Sequence, residues 1–239
     1  ASQITFSIGL SSKFPLEAVE EIYEGALIAC KKFGVDLIGG DTSASAQGLV
    51  LSITSIGYVD TDKVTYRSGA KEGDLLCVSG DLGGAYVGLQ LLEREKNIFL
   101  ENPSIQPDLE GKDYIVERQL KPESRKDVIE LLAHLDVKPN AMIDISDGLA
   151  SEILHICKAS NVGCKLYEEK IPIDPMTYET ARDFGLDPTV CALSGGEDYE
   201  LLFTIPQADY DKIKGQLDIS VIEYITEPNK GAEMISKSG

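Results

Sequence analysis

The sequence predicts an α+β protein of two domains, and three observations carry that prediction. At residues 141–151, AMIDISDGLAS, an apolar run over 141–145 reads as a short buried strand, which Ser146-Asp147-Gly148 turns into an amphipathic helical run over 149–159. At residues 35–42, VDLIGGDT, a second apolar run ends in two glycines and a carboxylate. Between them the helix–strand pattern restarts after a polar, Gly-containing connection at 60–70. The expected division is an N-terminal domain over 1–66 and a C-terminal domain over 67–239.

In chain order, Ile4, Phe6 and Ile8 alternate as in an edge strand, and the positions from Leu16 to Cys30 recur at helical spacing between Pro15 and Gly34. That helix feeds a strand over 35–38, which delivers Gly39-Gly40-Asp41-Thr42 as a turn. A β-rich run covers 49–59. Residues 75–78 form a buried strand, and Gly80, Gly83 and Gly84 pack it tightly against a helix over 85–96. A Pro-containing loop over 97–111, a helix over 124–133, a strand over 162–167 and a helix over 174–184 follow. The segment SGGEDYE at 194–200 runs into an apolar strand, and a helix over 208–217 and a strand over 221–225 complete the pattern.

Lys and Arg number 22 against 40 Asp and Glu, a formal charge of -18. Such a field repels nucleic acid and anionic membranes, and a phosphate ligand needs cations placed beside it. The five cysteines are dispersed and without CxxC spacing, which suits buried free thiols. With two histidines, a His-centred triad or a His-rich metal site is disfavoured. The absence of a membrane-length apolar run or a signal pattern leads to a cytoplasmic expectation.

Asp144 sits inside an apolar run, where an ionised carboxylate is expensive unless a cation or several donors meet it; a metal ion would do so. Ser146 or Asp147 equally fits an ordinary helix cap. Gly39 and Gly40 would let the backbone approach a phosphate while Asp41 holds Mg²⁺ against it, although the same residues suit a plain turn. Arg67 could clamp a phosphate bidentately or form a surface ion pair. The three acids around Tyr199 could receive a cationic or hydrogen-bond-donating heterocycle.

Taken together, GGDT at 39–42, RSGAKEGD at 67–74, the Gly-rich turn at 79–84, IDISDGLA at 143–150 and GGEDYELLFT at 195–204 resemble the thiamine-monophosphate kinases. These belong to a superfamily of ATP-dependent enzymes that includes aminoimidazole ribonucleotide synthetase and selenophosphate synthetase. The resemblance implies that family's two-domain α+β architecture, with an incomplete first domain that pairs across a homodimer and a layered second one. It implies transfer of the γ-phosphoryl of ATP onto the phosphate of thiamine monophosphate. By position, Gly40 and Asp41 would contact ATP and Mg²⁺, and Tyr23 the nucleotide's base. Arg67 would meet the ATP phosphates, Asp144 and Asp147 would bind Mg²⁺, Ser146 would reach ATP, and Glu197 would contact the substrate's pyrimidine. Asp147 and Arg67 are the residues expected to carry catalysis. Another acceptor within the superfamily, or a non-catalytic nucleotide-binding maturation scaffold, is the alternative.

The family's first segment, with a Gly-Asp-Asp turn and further Asp ligands, and an aromatic near its C-terminus have no counterpart here, so truncation at both ends is expected. If these 239 residues are all there is, ADP formation from ATP and thiamine monophosphate should fall well below that of a longer chain. Equal turnover would refute the expectation.

Overall fold

The structure is a computed structural model that describes residues 1–236. The chain divides into two units, Ala1–Val64 and Thr65–Gly239.

The first unit is built from β1 (Gln3–Leu10), α1 (Leu16–Phe33), β2 (Asp36–Ala44) and β3 (Leu49–Ile56). Its sheet runs β2-β1-β3, with β1 parallel to β2 and antiparallel to β3. The alternation Ile4, Phe6, Ile8 therefore belongs to the central strand, not to an edge. Phe6 and Ile8 are buried, and the Phe6 ring meets Tyr23 of α1 edge-on at 5.3 Å. A parallel pair needs a crossover, which α1 supplies. Gly34 ends that helix as the pattern predicts, at φ 65° with its N–H donating to the carbonyl of Cys30.

β2 does not stop before the glycines. It runs through Gly39-Gly40-Asp41-Thr42, each of these residues paired with β1. The expected turn is thus a strand, and Gly40 has a packing reason to be glycine: a Cβ there would run into the carbonyl of Phe6, whereas one on Gly39 would meet nothing.

The second unit holds a six-stranded sheet in the order β5-β7-β4-β8-β6-β9. Its strands are β4 (Leu75–Ser79), β5 (Ala141–Ile145), β6 (Gly163–Tyr167), β7 (Glu200–Ile205), β8 (Ile219–Thr226) and β9 (Ala232–Ile235). The helices are α2 (Gly84–Glu101), α3 (Asp113–Leu120), α4 (Lys126–His134), α5 (Leu149–Ser160), α6 (Pro175–Asp183), α7 (Pro188–Ser194) and α8 (Tyr210–Ile213). Strand alternation separates two cores. Leu76, Val78, Ile143, Ile145 and Leu202 pack with Leu149 and Ile153 of α5, while Cys77, Phe203 and Ile205 pack with Val128 and Leu132 of α4. A third cluster, around Val87, Leu91, Ile115, Ala181 and Cys191, joins α2, α3, α6 and α7. All five cysteines are buried and free.

The helix expected over 85–96 extends to Glu101, and α3, α7 and β9 have no counterpart in the expected pattern. The helix expected over 208–217 shrinks to Tyr210–Ile213, because Lys214 and Gly215 leave helical geometry. Among the described residues no helix is long and apolar enough to cross a membrane.

Gly40→Ala should cost the first unit about 3 kcal/mol or more by forcing β1 from β2, whereas Gly39→Ala should stay within about 0.5 kcal/mol. Thermal melting together with hydrogen exchange of the β1 and β2 amides measures both.

Candidate active site

β5 is the outer strand of its sheet, and its alternation buries Ala141, Ile143 and Ile145 while Asp144 faces solvent. The expectation that Asp144 is a buried charge in need of a cation is therefore corrected: an outward position on an edge strand leaves it hydrated. The turn that follows is capped by Gly148, at φ 118°, with no side-chain cap, so neither Ser146 nor Asp147 is used up as a helix cap. A Cβ on Gly148 would come within 2.6 Å of the Leu193 carbonyl oxygen, which explains the glycine. Asp147 is exposed, and its backbone N–H makes a long 3.4 Å contact to Oε1 of the buried Glu152. Burial raises the pKa of Glu152.

The second acidic segment is docked directly on this turn. Glu197 N–H donates to the Ser146 carbonyl and Tyr199 N–H to the Ile145 carbonyl, both at 2.8 Å. Gly196, at φ 72°, lies so close that a Cβ would come within 2.7 Å of the Ser146 carbonyl oxygen. From there the side chains alternate, with Glu197 and Tyr199 outward and Asp198 and Glu200 inward. The expectation that all three acids around Tyr199 receive a ligand is corrected accordingly.

Asp198 is 2% exposed and accepts hydrogen bonds from the amides of Gly83 (2.8 Å) and Ala85 (3.3 Å), at the N-terminus of α2. Burial pushes its pKa up to about 6 in spite of those donors and of Arg118. Glu200, 1% exposed, accepts from the Ser79 hydroxyl and pairs with both Arg118 (2.9 Å) and Arg125. Arg118 also donates to the carbonyls of Asp81 and Asp198. Sequence reasoning missed Arg118 and Arg125. Asp198 and Glu200, the partners that tie them to the acidic segment, lie 75 to 82 residues away, and the signal that could have found them is a pair of arginines flanking Lys121-Pro122-Glu123 in so acidic a chain.

The outward side chains converge. Tyr199 Oη donates to Glu197 Oε2 at 2.9 Å, and the phenol pKa is raised first by that bond, then by burial and by the fields of Glu197, Asp144 and Asp147. Of the three expected site carboxylates, Glu197 touches the phenol and Asp144 and Asp147 act on it through their fields, and none of them has an ion pair among the described residues. Ser146 sits half-buried in the same turn. Arg67 is exposed and, among the described residues, makes no ion pair, so the surface salt bridge considered for it is absent. Its neighbour Tyr66 accepts from Met142 N–H at 2.9 Å, which lays this segment along β5.

In the first unit, Tyr23, Gly39, Gly40, Asp41 and Thr42 line one open cleft of about 530 Å³ with Phe6. Asp41 accepts from the Ser43 hydroxyl at 2.6 Å. Among the described residues no three His, Cys, Asp or Glu side chains are gathered tightly enough to form a ready-made metal cage.

Comparison with known proteins adds the lineage. The N-terminal domain model of AIR synthase related protein matches residues 1–59, and the C-terminal domain model matches residues 71–218. The chain belongs to the AIR synthase related family. Within it, the chain is similar to the thiamine-monophosphate kinase of Bacillus subtilis strain 168, at 34% identity over 94% of this chain and 66% of that one. It is similar to the thiamine-monophosphate kinase of Aquifex aeolicus strain VF5, at 32% identity over 91% and 66%. Among solved structures it resembles AaThiL complexed with AMPPCP and TMP, at 28% identity and a TM-score of 0.78, over 100% of this chain and 70% of that one. The chain spans 66% of the length of these two curated relatives. The α+β fold of AIR synthase related proteins, expected from the motifs, is the fold found.

The Asp198 anchor makes a pH prediction. Its folded pKa is raised from 3.8 to about 6, so the folded state holds the proton more tightly and stability falls as pH rises through that window, levelling off above it. Asp198→Asn does not titrate. The stability of the native chain relative to this variant should decline by roughly 2 to 3 kcal/mol between about pH 4 and pH 6, read by urea unfolding at a series of pH values.

Proposed function

We propose that this chain carries the core of an ATP-dependent thiamine-monophosphate kinase, which makes thiamine diphosphate by in-line transfer of the γ-phosphoryl group onto the acceptor's phosphate. The observation that carries the reading is the docking of the Glu197–Tyr199 segment on the turn that carries Asp144 and Asp147, which leaves Asp144, Asp147 and Glu197 exposed and without cationic partners among the described residues. It is supported by similarity to kinases of that name and to a relative solved with AMPPCP and TMP.

The chemistry matches these residue types. Both reactants carry phosphate, and the nucleophile is already an anionic oxygen, so transfer needs alignment and charge neutralisation more than a strong base. The hydrated, unpaired carboxylates of Asp144 and Asp147 fit Mg²⁺, a hard cation that keeps waters and takes one or two carboxylates besides phosphate. When bound, Mg²⁺ neutralises polyphosphate charge. Arg67 contributes a free guanidinium for the phosphates of ATP, and Ser146 a hydroxyl for the nucleotide. Glu197 accepts from the acceptor's pyrimidine. In the first unit, Asp41 serves the metal and nucleotide, Gly40 the nucleotide, and Tyr23 the base. Gly40 does so through its backbone, because its α-carbon packs on Phe6.

The assembly we propose is a homodimer formed through the first unit, a reading favoured by exposed Ile38, Val50, Leu51 and Ile53 on its sheet. We place it in the cytoplasm.

ADP and thiamine diphosphate formation from ATP and thiamine monophosphate tests the reading. Asp147→Asn should lower kcat by about 100-fold or more, and Glu197→Gln should raise the acceptor's KM with a smaller effect on kcat. ADP formation with other acceptors alone would assign a different reaction of the superfamily, and Mg²⁺-dependent ATP binding without any transfer by the full-length protein would make it a scaffold.

A further inference from the structure

Glu197 and Tyr199 both hold left-handed backbone, at φ 63° and 52°. Glycine adopts that region without steric conflict, whereas any side chain with a Cβ strains it. Neither residue recovers the strain by filling a core. Glu197 is exposed and Tyr199 is 36% exposed, while the core positions of this segment belong to Asp198 and Glu200. Strained side chains that are not buried are kept for what they touch. Here they touch each other: the phenol donates to Glu197 Oε2 at 2.9 Å and leaves Oε1 without a partner among the described residues. Two backbone hydrogen bonds to Ile145 and Ser146 fix both residues to the turn that carries Asp147.

We propose that Tyr199 is a positioning residue for the phosphoryl acceptor, holding Glu197 so that its second oxygen meets the N–H donors of an amino-heterocycle. Its exposed ring adds an aromatic surface suited to a positively charged ring beside the Glu197 carboxylate. This rests on the kinase reading above and deepens it, since it selects acceptors that pair an N–H-bearing heterocycle with a cationic one. A phosphate ester lacking either feature is selected against.

Isothermal titration calorimetry with thiamine monophosphate in the absence of ATP tests this, on the native chain, Tyr199→Phe, Glu197→Gln and the double variant. Tyr199→Phe should weaken binding about 5-fold, and the double variant should bind no more weakly than Glu197→Gln alone, because the phenol acts through that carboxylate. Tyr199→Gly relieves the strained φ, so its melting temperature should match or exceed that of the native chain while acceptor affinity drops about 10-fold or more. AMPPCP affinity should stay within about 2-fold throughout, as the phenol serves the acceptor only. Additive losses in the cycle, unchanged binding by Tyr199→Phe, or a melting temperature of Tyr199→Gly that falls along with affinity would each overturn the proposal while leaving the kinase reading intact. Failure of the native chain to bind thiamine monophosphate would overturn the kinase reading, and this inference with it.

Discussion

The second unit depends on burying two carboxylates next to one another. Asp198 and Glu200 are almost wholly inaccessible, and isolated ionised acids in such places would be prohibitive. They are tolerable because donors arrive from four separate elements: the end of β4 through Ser79, the start of α2 through Gly83 and Ala85, α3 through Arg118, and the entry to α4 through Arg125. Removing either guanidinium would strand a buried charge, a strongly destabilising change. The network is therefore the point where the sheet, two helix starts and the acidic segment are brought into register. Asp144, Asp147, Glu197 and Tyr199 are presented to solvent as a consequence.

The general organisation was legible from the residues because it rests on local rules. Apolar periodicity located α1, α5, β4 and β7, and Gly34 marked the end of its helix for the left-handed reason glycine usually does. The failures have physical causes. Ile4, Phe6 and Ile8 alternate as in any half-buried strand, and nothing local says that neighbours will pair on both sides. Gly39 and Gly40 look like turn residues, but Gly40 answers to the backbone of a strand distant in sequence. α3 is only eight residues long, too short for a helical period to show, and gains its stability by packing on α2.

The site was legible in a different way. A shared site for Asp144, Asp147 and Glu197 was expected from motif resemblance, and the structure docks the segment carrying Glu197 on the turn carrying Asp147. What composition and spacing could not tell is which acids of GGEDYE are exposed and which are buried in the fold. The answer lies with Arg118 and Arg125, some 80 positions away. Arg118 and Arg125 are occupied by that network, whereas Arg67, beside β5, is exposed and has no ion pair among the described residues, which is what the phosphate role proposed for it requires.

The alternation at residues 197–200 has a last consequence, for how this stretch can drift over evolutionary time. With inward anchors and outward side chains on successive residues, spelling can vary but length cannot. A single inserted or deleted codon between Gly196 and Leu201 would swing the glutamate and the phenol into the guanidinium nest and turn the anchors out into water. Natural variation here should be by substitution alone, with gains and losses of residues gathered in exposed connections such as the one between Asn102 and Lys112.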